Sequence, residues 1–218
     1  MRTVKIVIEV PCYPNIKDEV RLREEKELMT LIDKYKNGDL IIDFGCGTSY
    51  YTSSNAVGID LDRELLSKAD LEHKVLASYT HAPFREEMFD AVIMCHSLEH
   101  TNMPEKPLSE AYRILKPKGI IGISVPNMKG LHALFRLVFQ DILKCIAPDH
   151  LTAFTPRRLK EYLHSSGFKI VKEAGDIVYF PLMKKFKMMK LGYFLTKIIP
   201  KFSNVYIVIA RKIGDMKK

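Results

Sequence analysis

Five short apolar runs constrain this chain most: Leu40 to Phe44, Ala56 to Asp60, Lys74 to Ser78, Asp90 to Cys95 and Gly119 to Val125. Helical patterns separate some of them, a short one at Arg63 to Ala69 and one at Pro107 to Leu115 with Leu108, Ala111, Tyr112 and Leu115 on one side. Runs with few polar breaks, alternating with helices, are what strands covered on both faces look like. The expected fold class is α/β, a doubly wound, mostly parallel sheet. At 218 residues, one domain with a sizeable core is expected across 1–218.

The flanks fit around that plan. Val4, Ile6, Ile8 and Val10 alternate with Thr3, Lys5, Val7 and Glu9, a period near two that suggests a half-buried strand ended by Pro11 and Pro14. From Lys17 to Lys36, Val20, Leu28, Leu31, Ile32 and Tyr35 share a helical face, and Asn37-Gly38 supplies the stop. In the last third, Leu131 to Ile146 has helical spacing, and "TPRRLKEYLHSSG" opens on Thr155 as N-cap with Pro156 behind it. Phe168 to Lys172, Ile177 to Phe180 and "NVYIVIARK" are further strand candidates. Residues 1–37 thus precede a half at 38–125, and 126–218 forms the rest, with a basic insertion at 181–203.

The stretch "LIIDFGCGTSYYTSSNAVGID" carries the chemistry. A strand feeding a turn with Gly45 and Gly47 places bare backbone at the carboxyl edge of the sheet, where open α/β folds bind ligands. A dinucleotide fingerprint would need a third glycine where Tyr50 stands. Asp60, ending the second run, can accept hydrogen bonds from both hydroxyls of a ribose. Asp43 lies within an apolar strand and needs a partner, which a cationic ligand would supply.

These residues resemble the class I S-adenosylmethionine-dependent methyltransferases, in particular the small-molecule group called type 11. "IIDFGCGTS" is similar to the first motif, "VGIDLD" to the second and "APFREEMFDAVIMCHSLEH" to the third region. "EAYRILKPKGIIGISVPN" and "DHLTAFTPRRLKEYLHSSGFKIV" resemble later segments, in family order across about residues 38 to 175. The resemblance implies a Rossmann-like sheet of seven strands with an antiparallel last strand, and S-adenosyl-L-methionine as cofactor. It places Asp43 near the methionine ammonium. Gly45, Cys46 and Gly47 would line the methionine and ribose with backbone, Asp60 would hold the ribose and Leu61 would lie beside the adenine. Cys95 and His96 would form the floor through main-chain contacts. Ser49 stands where many members have glycine, and Ser78 where an aspartate commonly meets the adenine amino group, leaving Ser78 and Tyr79 to do so. The interval from Gly47 to Asp60 is short for a crossover helix.

The cofactor carries an already activated methyl group, so much of the catalysis can come from alignment, with a base needed only when oxygen or nitrogen must lose a proton. No dedicated catalytic residue is evident; His96, His100 and His150 are candidates for a base or substrate contact, and Glu99 belongs with them. His96 and His100 would share a face if helical, yet no third ligand is signposted and no metal is expected. Cys12, Cys46, Cys95 and Cys145 form no CxxC pair and are expected to be reduced.

The formal charge is +8, and Lys184, Lys185, Lys187, Lys190, Lys197 and Lys201 occur with no acid among them. Interleaved with Met, Phe, Leu and Ile, this segment suits a cap over a pocket, a membrane-surface contact through 184–201, or a solvated amphipathic insertion. Nucleic acid is disfavoured, because no RNA-binding module accompanies the lysines. The expected activity is methyl transfer to O or N of a small-molecule, lipid or glycan acceptor. Two rivals are a catalytically degenerate relative with an interaction role and a nicotinamide-dependent oxidoreductase, the latter lacking its third glycine. With no membrane-length apolar run and no secretory pattern, the expected location is cytoplasmic or peripheral to the membrane. The N-terminal strand could extend a sheet edge or pair two subunits as a homodimer.

Overall fold

The computed structural model describes residues 17–49, 56–130, 151–178 and 188–214, with side chains from residue 23 onward and without that of Met189. The N-terminal strand candidate, the helical pattern at 131–146, His150, Cys12, Cys145 and Lys184 to Lys187 lie outside the described residues.

Seven strands form one sheet: β1 (Ile41–Phe44), β2 (Val57–Asp60), β3 (His73–Leu76), β4 (Phe89–Cys95), β5 (Leu115–Pro126), β6 (Phe168–Gly175) and β7 (Val205–Lys212). Their order is β3-β2-β1-β4-β5-β7-β6, and β7 runs antiparallel to both its neighbours while the other six are parallel to one another. The antiparallel last strand is the one the resemblance implies. Among the described residues, five α-helices flank the sheet: α1 (Lys17–Tyr35), α2 (Arg63–Lys68), α3 (Glu105–Ile114), α4 (Pro156–Ser165) and α5 (Met189–Ile198).

The strands read as continuous apolar runs because alternate residues bury into different cores. Ile42, Phe44, Val92, Met94, Ile121 and Ile123 join Leu108, Ile114, Leu159 and Leu163 of α3 and α4 in one cluster. Ile41, Ala91, Ile93 and Ile120 join Leu28, Leu31, Ile32 and Leu66 of α1 and α2 in the other. Strand β3 differs from the expectation of full cover: three of its four side chains are exposed, as befits the sheet's edge.

Two local features depart from the sequence pattern. Strand β5 begins at Leu115 instead of Gly119, because Leu115 pairs with Phe89 before a register shift that resumes at Ala91 and Ile120. Lys118 accommodates the irregularity at φ 64°. Ile177 and Val178 are buried but belong to no strand, and the remainder of that candidate, 179–180, lies outside the described residues. The Thr155 cap is as the sequence suggests: its side chain accepts from the Arg158 N–H, with Pro156 opening α4.

Candidate active site

The turn after β1 is held by backbone. The Gly45 and Cys46 N–H groups donate to the Ile59 carbonyl at 2.9 and 3.2 Å, tying the turn to the end of β2. Gly45 takes φ 70°, and a side-chain carbon there would come within 2.7 Å of Ser97 Cβ, so glycine is required by the fold itself. Gly47, at φ 53°, is different: among the described residues a Cβ there would meet nothing within 4 Å, and its N–H donates to Asp60 Oδ2 at 2.8 Å.

Asp60 Oδ1 accepts from the Asp62 N–H at 2.8 Å, and Asp62 in turn caps α2 by accepting from Glu64 and Leu65. This tight succession pushes Leu61 outward, where it is 67% exposed at the carboxyl edge. Asp60 thus sets the turn between β2 and α2 and contacts the glycine turn together. Opposite, Tyr79 stacks on Phe44 with ring centroids 5.9 Å apart, and its hydroxyl donates to the Ser97 carbonyl at 3.3 Å. Ser78 forms a small ring with Thr80, side chain to side chain at 2.8 Å. Glycine turn, Asp60, Leu61, Ser78 and Tyr79 converge on one edge of the sheet.

Asp43 is fully buried, and Ser49 donates its hydroxyl to Asp43 Oδ2 at 3.0 Å. Ser49 therefore sits at φ 34° and partners the buried carboxylate. The Cys46 thiol is pushed up to about 12 by burial, then by the charges of Asp43 and Asp60. Burial likewise holds the Cys95 thiol well up, with the charge of Glu24 adding to it, although Ser124 donates to its sulfur at 3.3 Å. Both thiols are protonated and their side chains face the core.

His96 follows β4 at φ 50°, with its ring about a quarter exposed. Nδ1 lies 3.0 Å from Glu99 Oε1, and Nε2 lies 2.9 Å and 3.0 Å from the two oxygens of Glu24. Burial opposes charge on the ring, but Glu24 and Glu99 outweigh it and raise its pKa well above the ordinary histidine range. His96 is an imidazolium clamped between two carboxylates. His96 precedes a 3-10 turn at Leu98–His100, so the helical condition under which His96 and His100 would share a face is not met. Among the described residues, no group of three His, Cys, Asp or Glu is arranged to hold a metal ion.

Two groups here lacked a sequence signal. Glu24 and Glu25 are buried on α1, and Asp176 is buried just after β6, where it accepts from the Val205 N–H at 2.9 Å. Burial and the neighbouring charge of Glu24 raise the Asp176 pKa to about 7. On the other flank, the Leu151 and Thr152 N–H groups both donate to the Glu99 carbonyl at 2.9 Å. The chain just after His150 is thereby fastened beside the loop that follows β4.

The methyltransferase-domain family model matches residues 42–123. A demethylmenaquinone methyltransferase of Lactobacillus johnsonii is 31% identical over 63% of this chain and 71% of that protein. The chain belongs to the class I S-adenosylmethionine-dependent methyltransferases. An uncharacterized protein of Methanocaldococcus jannaschii is 33% identical over 71% of this chain and 66% of its own length. Among solved structures, an S-adenosylmethionine-dependent methyltransferase of Thermotoga maritima superposes with a TM-score of 0.67 at 16% identity, covering 88% of this chain and 90% of that one. The protein is an enzyme of this family and S-adenosylmethionine is its cofactor. The edge described above suits that cofactor chemically. It offers bare backbone at Gly47, a carboxylate at Asp60 and an exposed aliphatic side chain at Leu61.

Proposed function

We propose that this methyltransferase methylates an oxygen or nitrogen of a small, lipid-soluble acceptor. The observation that carries the site assignment is Asp60, whose carboxylate orients the Gly47 turn while presenting Leu61 at the sheet edge. In this reading Asp60 takes the ribose hydroxyls, and Leu61, Ser78 and Tyr79 border the adenine. Gly45, Cys46 and Gly47 give their backbone to the methionine part, Asp43 lies toward its ammonium group, and the main chain of Cys95 and His96 forms the floor. The bound cofactor supplies the activated methyl.

What the chain contributes is alignment and charge. His96, already carrying its proton between Glu24 and Glu99, does not act as a base; it fixes the loop after β4 to α1. The base, where the acceptor must lose a proton, is assigned to His150, the neighbour of the fastened Leu151. His100 is left as a contact residue of the same loop. Support for a lipid-soluble acceptor comes from the demethylmenaquinone relative.

Calorimetric titration with S-adenosylhomocysteine tests the cofactor assignment. Asp60→Ala is expected to weaken binding roughly ten- to a hundredfold, the loss of hydrogen bonds to a charged group. Leu61→Ser, at an exposed position, should weaken it less without disturbing the fold. Absence of binding by folded wild-type protein would overturn the assignment. With methyl-labelled cofactor and a cell extract, label is expected in the organic phase; label confined to the aqueous phase would point to a glycan or other polar acceptor instead.

A further inference from the structure

Helix α5 is turned inside out for a protein surface. Gly192 and Thr196 face the protein, while Leu191, Phe194 and Ile198 face outward, Phe194 58% and Ile198 62% exposed. Spacings of three and four put those three on one stripe. Ile199 and Phe202 extend the apolar surface past the helix end. Exposed Lys190 and Lys197 border the stripe on one side, and Lys201 lies in the 3-10 turn Pro200–Phe202 that follows.

The inward face explains the reversal. Beneath α5 is a small cleft lined by Arg23, Glu27, Gly175, Asp176, Thr196 and Lys197, and Arg23 lies 3.9 Å from the centroid of the Tyr193 ring. This cleft is polar, so Thr196 suits it better than phenylalanine would. The apolar residues consequently point away. A surface that exposes adjoining Leu, Phe and Ile side chains to water carries a cost that a partner would remove.

The charge decides which partner. Between Asp176 and Asp215 the sequence has no acidic residue, and three further lysines, Lys184, Lys185 and Lys187, precede the helix. A protein partner's apolar groove would explain the stripe but not the run of exposed lysines, Lys190, Lys197 and Lys201, along it. We infer that α5 and the turn after it form a docking face for an anionic lipid bilayer, with the apolar stripe set into the interface and the lysines at the phosphate level. No described helix is long and apolar enough to cross a membrane. This mode rests on the proposed lipid-soluble acceptor, which a bilayer would concentrate at the enzyme.

The test is flotation with phosphatidylcholine vesicles, with and without phosphatidylglycerol, with S-adenosylhomocysteine titrated in the same preparations. Wild type is expected to float with anionic vesicles and to be released by salt. Lys190→Gln, Lys197→Gln and Lys201→Gln should each weaken partitioning roughly fivefold, and Phe194→Ser with Ile198→Ser at least about tenfold. All five positions are exposed, so cofactor binding and melting temperature should hold. Failure to float while S-adenosylhomocysteine still binds overturns the docking face and leaves the enzyme assignment standing. Equal binding to neutral vesicles, or flotation indifferent to the variants, also overturns it. So does a concentration-dependent dimer that Phe194→Ser dissolves without any vesicle binding, because a second copy would then be the occupant.

Discussion

Helices α4 and α5 are both ten residues long, yet they put their apolar residues on opposite sides. Helix α4 buries Pro156, Leu159 and Leu163 and shows Arg157, Arg158 and Glu161 to solvent. Helix α5 buries Gly192 and Thr196 and exposes Leu191, Phe194 and Ile198. Sequence periodicity finds an amphipathic helix in either case. It does not say which face meets the protein, because that depends on the ground: α4 lies on Phe154, Phe168 and the strands of one core, α5 on Asp176 and α1's Arg23 and Glu27.

The strongest way to break the comparison is to remove an inward leucine from α4. Leu159 is fully buried, and Leu159→Ala should cost about 2–5 kcal/mol through lost burial and the cavity left behind. In thermal unfolding that corresponds to a fall of roughly 5–20 °C for a chain of this size. A loss no larger than that of a surface substitution would mean α4 is not seated on the core as described.

A smaller, pH-dependent effect is expected beneath α5. Asp176 has its pKa raised to about 7 by burial and by Glu24, against the Val205 and Ile177 N–H groups and His96, which favour the carboxylate. Below about 3.8 the acid is protonated in folded and unfolded chains alike, and its contribution to stability is complete. As pH rises toward 7 the unfolded chain ionises first, so stability is lost until the folded acid ionises too. Asp176→Asn keeps an oxygen for the Val205 N–H and removes that loss. The variant should melt several degrees above wild type at pH 8 and show little gain at pH 4; a gain independent of pH would contradict the buried acid. Because His96 is also raised, its stabilising charge fades as pH climbs past its folded value, and that slope should survive in Asp176→Asn.

These residues mark where the sequence stops being legible. The turn at Gly45 to Gly47, the capped α4 and the mostly parallel sheet with its antiparallel last strand follow from local pattern or from motifs that keep family order. Backbone turns and caps are built from residues close together in the chain. Glu24 with His96 spans 72 positions, Asp176 with Val205 spans 29, and neither pair has a spacing rule. In α1, Glu24 and Glu25 stand among other charged residues and look like a solvated face, although both are buried. Asn127 is similar: its side chain donates to the carbonyls of Lys201 and Ser203, both at 2.8 Å, fastening the end of β5 to the turn after α5. The bulge at Lys118 and the serine that partners Asp43 were also out of reach, since each depends on a residue brought in by the fold.

The smallest effect is the one that most sharpens the contrast between the two helices. Phe194 projects from α5 and is more than half exposed, so Phe194→Ser removes little packing from the free protein. Its stability should change by less than about 0.5 kcal/mol, measured by denaturant titration without lipid. Serine is the poorer helix former, so a slight loss is expected, not a gain. An aromatic side chain that adds little to the free fold, on a helix flanked by exposed Lys190 and Lys197, is what the inferred docking face calls for. If Phe194→Ser instead cost as much as Leu159→Ala, the ring would be part of the core, α5 would be an ordinary surface helix, and the contrast with α4 would disappear.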